Sequence, residues 1–164
     1  MNILRFACAI LVTLVMAPAA SAEDAAVAAL KAGDALPVLT LPDQHGVSTT
    51  VTLDTTTLVF TRDMDGGGFV KEVLAEGGTE KLAAARAVYI ADVSGMPGFV
   101  RRTFALPSMR KRPYPMLIDE TGAATKMLPS EEGKATILRV SDGKVSDVKL
   151  AASTDEVAAA LTPP

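Results

Sequence analysis

Thr57-Leu58-Val59-Phe60-Thr61-Arg62-Asp63-Met64-Asp65-Gly66-Gly67-Gly68-Phe69-Val70 decides how this 164-residue chain folds. The first five residues are apolar or β-branched and carry no charge, the signature of a strand covered on both faces. A run of charge and glycine then ends the strand, and Phe69, Val70, Val73 and Leu74 recur at helical spacing. A buried strand that passes through a polar loop into an amphipathic helix opens a βαβ unit, so a parallel partner strand is expected downstream.

That partner is Ala87 to Ala91, a second apolar run closing at Asp92. Between the two, Gly77-Gly78 interrupts the helix and Thr79 to Arg86 predicts a second short helical piece. Beyond Asp92, Pro97 suits the first turn of a helix. The apolar face of that helix would be Phe99, Val100, Phe104 and Ala105, with Leu106-Pro107 as its stop. Tyr114 to Asp119 predicts a third strand, closed by a Glu120-Thr121-Gly122 turn. Ala135 to Val140 and Val145 to Leu150 flank Asp142-Gly143, a hairpin signal because both turn residues tolerate positive φ. Ser153 and Glu156 have the spacing of a capping box and open a last helix through Val157, Ala160 and Leu161.

Upstream, Pro37 to Leu41 and Val47 to Leu53 read as an additional hairpin around Asp43-Gln44-His45-Gly46, preceded by an alanine-rich lead-in over 23–34. Residues 1–22 have the three parts of an export signal: Arg5, an apolar core from Phe6 to Met16, and Ala20-Ser21-Ala22 before a cut. The core is about half the roughly 20 residues a bilayer crossing needs. The expectation is one domain over 23–164 with no membrane span after cleavage, in the periplasm or, alternatively, secreted. Cys8 is the only cysteine and lies inside that leader, so a chain processed there carries no thiol. Sixteen basic against nineteen acidic residues give a net charge of −3, which provides no general pull toward nucleic acid. Walker loops, dinucleotide fingerprints and nucleophile elbows are missing from the sequence.

Four stretches, taken in order, resemble the thioredoxin-like superfamily in its peroxiredoxin and TlpA-type branch. They are residues 32–46 with Gly33, Pro37, Leu41, Asp43 and Gly46; Leu58-Val59-Phe60; Tyr114 to Gly122; and Thr136 to Val145. The resemblance implies an α/β fold, a mixed central sheet flanked by helices, with an N-terminal β-hairpin extension. More narrowly, Met96 to Arg102, Tyr114-Pro115 and Glu131-Glu132 resemble the YtfJ-type exported proteins. Two departures limit what carries over. Thiol exchange needs a low-pKa thiolate at a helix N-terminus, and Asp63 to Gly68 holds no sulfur nucleophile; the thioether of Met64 cannot exchange. The cis-proline that the resemblance places before the closing hairpin falls at Lys134-Ala135, where there is no proline. Thiol oxidoreductase and peroxidase activity are therefore not expected.

The candidate ligand loop is Arg62, Asp63, Asp65, Gly66, Gly67 and Gly68, at the C-terminal end of a central strand. Its glycine amides would cradle a small anion, or Asp63 and Asp65 would cap the helix themselves. Asp63-x-Asp65-x-Gly67 does not complete a calcium loop, since the fifth and twelfth positions would be Gly67 and Leu74. No metal, cofactor or catalytic residue is assigned. Lys134 and Ala135 would form the other wall of a groove. Arg101, Arg102, Arg110, Lys111 and Arg112 form a candidate partner patch for a carboxylate- or phosphate-bearing partner. His45 reads as a turn residue, Glu131-Glu132 as solvated, and the methionines as core filler. The function these readings favour is an exported non-redox binding or accessory module of the cell envelope, its partner an envelope protein or peptide. The alternative is an enzyme or an anion-binding protein using the Arg62 to Gly68 loop without sulfur chemistry.

Overall fold

A computed structural model of the chain describes residues 28–162. The expected leader, its cleavage site and Cys8 lie outside the described residues. The central strand β3 (Thr57–Thr61) is buried at every position, as its uncharged sequence requires. It pairs in parallel with β4 (Ala87–Asp92) and antiparallel with β6 (Ala135–Ser141). Outside these lie β5 (Leu117–Asp119), parallel to β4, and β7 (Lys144–Ala151), antiparallel to β6. The strand order is β5-β4-β3-β6-β7, the expected mixed sheet. The turn between β6 and β7 places both Asp142 (φ 52°) and Gly143 (φ 72°) at positive φ, as the sequence demands.

Alternate residues of the strands feed two cores. Val59, Tyr89, Ala91, Ile118 and Ile137 meet Val70, Val73 and Leu74 of α1 (Met64–Leu74), Leu82 of α2 (Gly78–Ala84) and Val157 of α5 (Thr154–Ala160). Leu58, Phe60, Ile90, Leu117 and Leu138 face the other way, against Leu39, Leu41, Val51 and Leu128. The N-terminal hairpin, β1 (Thr40–Pro42) with β2 (Ser48–Thr50), belongs to this second layer. The segment crosses the whole sheet. Leu36 donates to the Gly143 carbonyl (2.9 Å) beside β7, and Asp43 bridges to Leu117 of β5. Its expected period-two burial holds only at Val51, because β2 is an outer strand and leaves Val47 and Leu53 exposed.

The crossover from β4 to β5 departs from the sequence reading. Helix α3 (Gly98–Val100) runs through a π-helical segment (Arg101–Ala105) into α4 (Leu106–Arg110) without a stop at Leu106-Pro107. Leu106 donates to the Arg101 carbonyl, one residue further back than in an α-helix. This wider turn absorbs a proline, which has no N–H to offer and would otherwise crowd the preceding turn. It also offsets the two halves of the helix. Leu106 and Met109 pack on the core, while Phe99 and Phe104, expected to be buried, are 73% and 62% exposed.

Candidate functional site

The three glycines lie inside α1, whose first turn begins at Met64 rather than at Phe69. Asp63 is the cap: its Oδ1 accepts from the Gly66 amide (2.8 Å), and its Oδ2 accepts from the Gly133 amide (3.0 Å). The helix end where an anion or thiolate would be stabilised is thus occupied by the chain's own carboxylate. Gly66 seals the same junction. A Cβ there would lie 2.6 Å from the Lys134 carbonyl carbon and 3.0 Å from the Ala135 nitrogen. The two expected walls of the groove, Arg62 to Gly68 and Lys134-Ala135, are in direct contact and form a seam. The described residues contain no cis peptide. Replacing Asp63 with Ala removes a cap and a charge-assisted bond across the seam. It should cost about 2 kcal/mol, read as a lowered urea midpoint with an unchanged slope.

Arg62, Asp63 and Asp65 do not converge. Arg62 turns to the opposite face of the sheet, its guanidinium 5.3 Å from the Phe60 ring centroid. There it donates to Asp92 Oδ2 (3.0 Å), Ser130 Oγ (2.9 Å) and the Thr125 carbonyl (3.1 Å). Asp92 and Asp119 end β4 and β5 and are buried. The Thr125 hydroxyl bridges their Oδ2 atoms at 3.1 and 3.0 Å. Asp119 also accepts from the amides of Thr121, Gly122 and Thr125 at 2.8–3.0 Å. Burial pushes its carboxyl upward, but these donors together outweigh that and hold it below the ordinary range. Sequence reasoning did not identify this network. Its visible trace was an aspartate at the end of each of two successive strands. Asp65 is exposed in the first turn of α1.

The open surface lies on the other side of α1. A cavity of about 280 Å³ runs between that helix and α4, floored by Gly67 and Gly68. Met64, Met96, Met109 and Met116 line it, with Lys71 and Arg112 as its charged residues and no carboxylate in its wall. Met64 is 79% exposed, so it is not core filler. Tyr89 forms part of the wall; its phenol shares a hydrogen bond with Thr61 Oγ1 (3.0 Å), and burial pushes its pKa up to about 12. Next to α4, Phe99 and Phe104 stack edge to face at 6.2 Å, both in solvent.

The five basic residues of the expected patch have different surroundings. Arg101 is drawn inward, with Nη1 donating to the Glu120 carbonyl (3.2 Å) and Nε lying 3.3 Å from Glu120 Oε2, an ion pair without hydrogen-bond alignment. Arg110 donates to the Gln44 carbonyl (3.3 Å). Arg112 faces the cavity, while Arg102 and Lys111 are exposed.

The sequence matches no protein-family model and no curated relative. Solved structures do match. The peroxidoxin BcpB of Mycobacterium tuberculosis aligns over 80% of this chain and 96% of its own, at 23% identity and a TM-score of 0.53. The fold is thioredoxin-like. A protein described as a DsbE-type thiol:disulfide interchange protein, from Chlorobium tepidum, covers 82% of this chain and 100% of its own at 16% identity and a TM-score of 0.53. The bacterioferritin comigratory protein of Xanthomonas campestris, studied for alkyl peroxide reduction, covers 78% and 97% at 17% identity and a TM-score of 0.51. Between residues 28 and 162, this thioredoxin-like chain carries no cysteine.

Proposed function

We propose that the chain is an exported, non-redox binding module of the cell envelope, related to the YtfJ-type proteins, with residues 1–22 acting as a cleaved leader. One contrast carries this reading: Asp63 fills the helix end that sulfur chemistry requires, while the adjacent open surface is a methionine-lined cavity with Lys71 and Arg112 in its wall. Methionine side chains adapt to varied partners. Exposed apolar surface, here Met64 in the cavity wall and the Phe99–Phe104 pair, favours protein or peptide association. Bare backbone at Gly67 and Gly68 keeps the floor low enough to admit a partner side chain.

The test joins chemistry to capture. Purified chain should neither reduce insulin nor consume peroxide above the blank, and turnover in either assay overturns the non-redox reading. A photo-crosslinker at Met64 should give a discrete adduct in the periplasm. Gly68→Leu, placed where a Cβ meets nothing within 4 Å, should abolish the adduct without loss of folding. An adduct unaffected by that blockade counts against the cavity as the binding surface.

A further inference from the structure

Arg86 stands at φ +42°, immediately beyond the end of α2. This left-handed position after a helix is one that glycine fills freely and an L side chain enters at a cost. Its backbone role, donating to the Ala83 carbonyl and accepting from Thr56 and Thr57 amides, needs no side chain at all. Arg86, exposed to solvent, instead lines a cavity of about 380 Å³ at the end of the sheet remote from Asp63. Arg139 enters the same cavity from β6. One of its donors is spent on Thr57 Oγ1 (2.7 Å), which fixes the group and leaves its other N–H bonds unspent. Neither guanidinium has a carboxylate partner among the described residues, and no acid lines the cavity. Asp147 is cross-strand from Arg139, exposed and not paired with it. Among the lining hydroxyls, Thr56 and Thr162 are committed to carbonyls, while Ser146 remains available as a donor.

We infer that Arg86, Arg139 and Ser146 form a binding site for a phosphoryl group carried by a small organic molecule. Two forked cations and a hydroxyl match the several acceptor oxygens of a tetrahedral anion. The cavity is larger than a bare oxyanion needs, which leaves space for an organic substituent. Held in this way, the ligand recovers the backbone cost at Arg86. The site is separate from the methionine-lined cavity and independent of its role.

Thermal unfolding and calorimetric titration of the whole chain test this, with inorganic phosphate and glycerol phosphate as probes and chloride and acetate at matched ionic strength as controls. Both phosphates should raise the unfolding midpoint, with glycerol phosphate binding more tightly. Arg86→Gly should unfold at a higher temperature than the parent without ligand, yet bind phosphate at least about tenfold more weakly. Arg139→Gln should lose affinity by a similar factor. The proposal is overturned if phosphate stabilises no more than chloride, or if Arg86→Gly keeps its affinity. Stabilisation by acetate equal to that by phosphate overturns the phosphoryl assignment. Destabilisation by Arg86→Gly without ligand overturns the strain argument.

Discussion

Asp119→Ala should destabilise the protein by about 3 kcal/mol, the upper end of the cost of leaving buried donors without their acceptor. Asp119 is 2% exposed and receives five hydrogen bonds from Thr121, Gly122 and Thr125. Removing the carboxylate strands the backbone donors out of water, while Asp92 keeps Arg62, the Ser94 amide and the Thr125 hydroxyl. Asp119→Asn keeps the shape but turns an NH₂ toward donors, so it should also destabilise, by less. The carboxyl is held below its usual value near 3.8 in the folded chain. Its contribution is therefore complete above that value and lost as pH falls through the lower, folded-state value. Urea midpoints of parent and Asp119→Asn should converge on acidification below about pH 3.8. A constant gap between them would show that ionisation of Asp119 contributes nothing.

Gly66→Ala should cost about 3 kcal/mol, although alanine is the better helix former by about 1 kcal/mol. The added methyl meets Lys134 and Ala135 backbone rather than a movable side chain, so the seam between α1 and β6 must open. Two positions later the sign reverses. Gly68→Ala meets nothing within 4 Å and should stabilise by about 0.5–1 kcal/mol. Chemical denaturation of the pair checks both, and equal effects at the two sites would refute the seam. The contrast also separates the roles of the two glycines. Gly66 is required by packing, whereas Gly68 gives up helix stability to leave the cavity floor bare.

Much of the architecture was legible because its signals are local. The uncharged run Thr57 to Thr61, the Asp142-Gly143 turn and the Ser153 cap each specify their own geometry, and Ser153 Oγ does accept from the Glu156 amide (3.3 Å). Asp63 as a cap was likewise readable. What escaped depends on partners distant in sequence. Arg62 meets Ser130, Asp63 meets Gly133, and Arg101 meets Glu120, none of which spacing reveals. The four methionines of the cavity are spread from Met64 to Met116 and share no period. At Pro107 the rule for α-helices was sound, but the chain avoided its consequence by adopting a π turn.

The strap formed by the N-terminal segment also dictates an order of events. Asp34 and Leu36 lock onto Val145 and Gly143, so the first-made part of the fold waits for nearly the last. During synthesis these bonds cannot form until the final hairpin exists, a late closure that slows folding. Once closed, the same strap occupies one ladder position on each outer strand, at Leu117 of β5 and Lys144 of β7, and so shortens the edge left for pairing with a neighbouring chain.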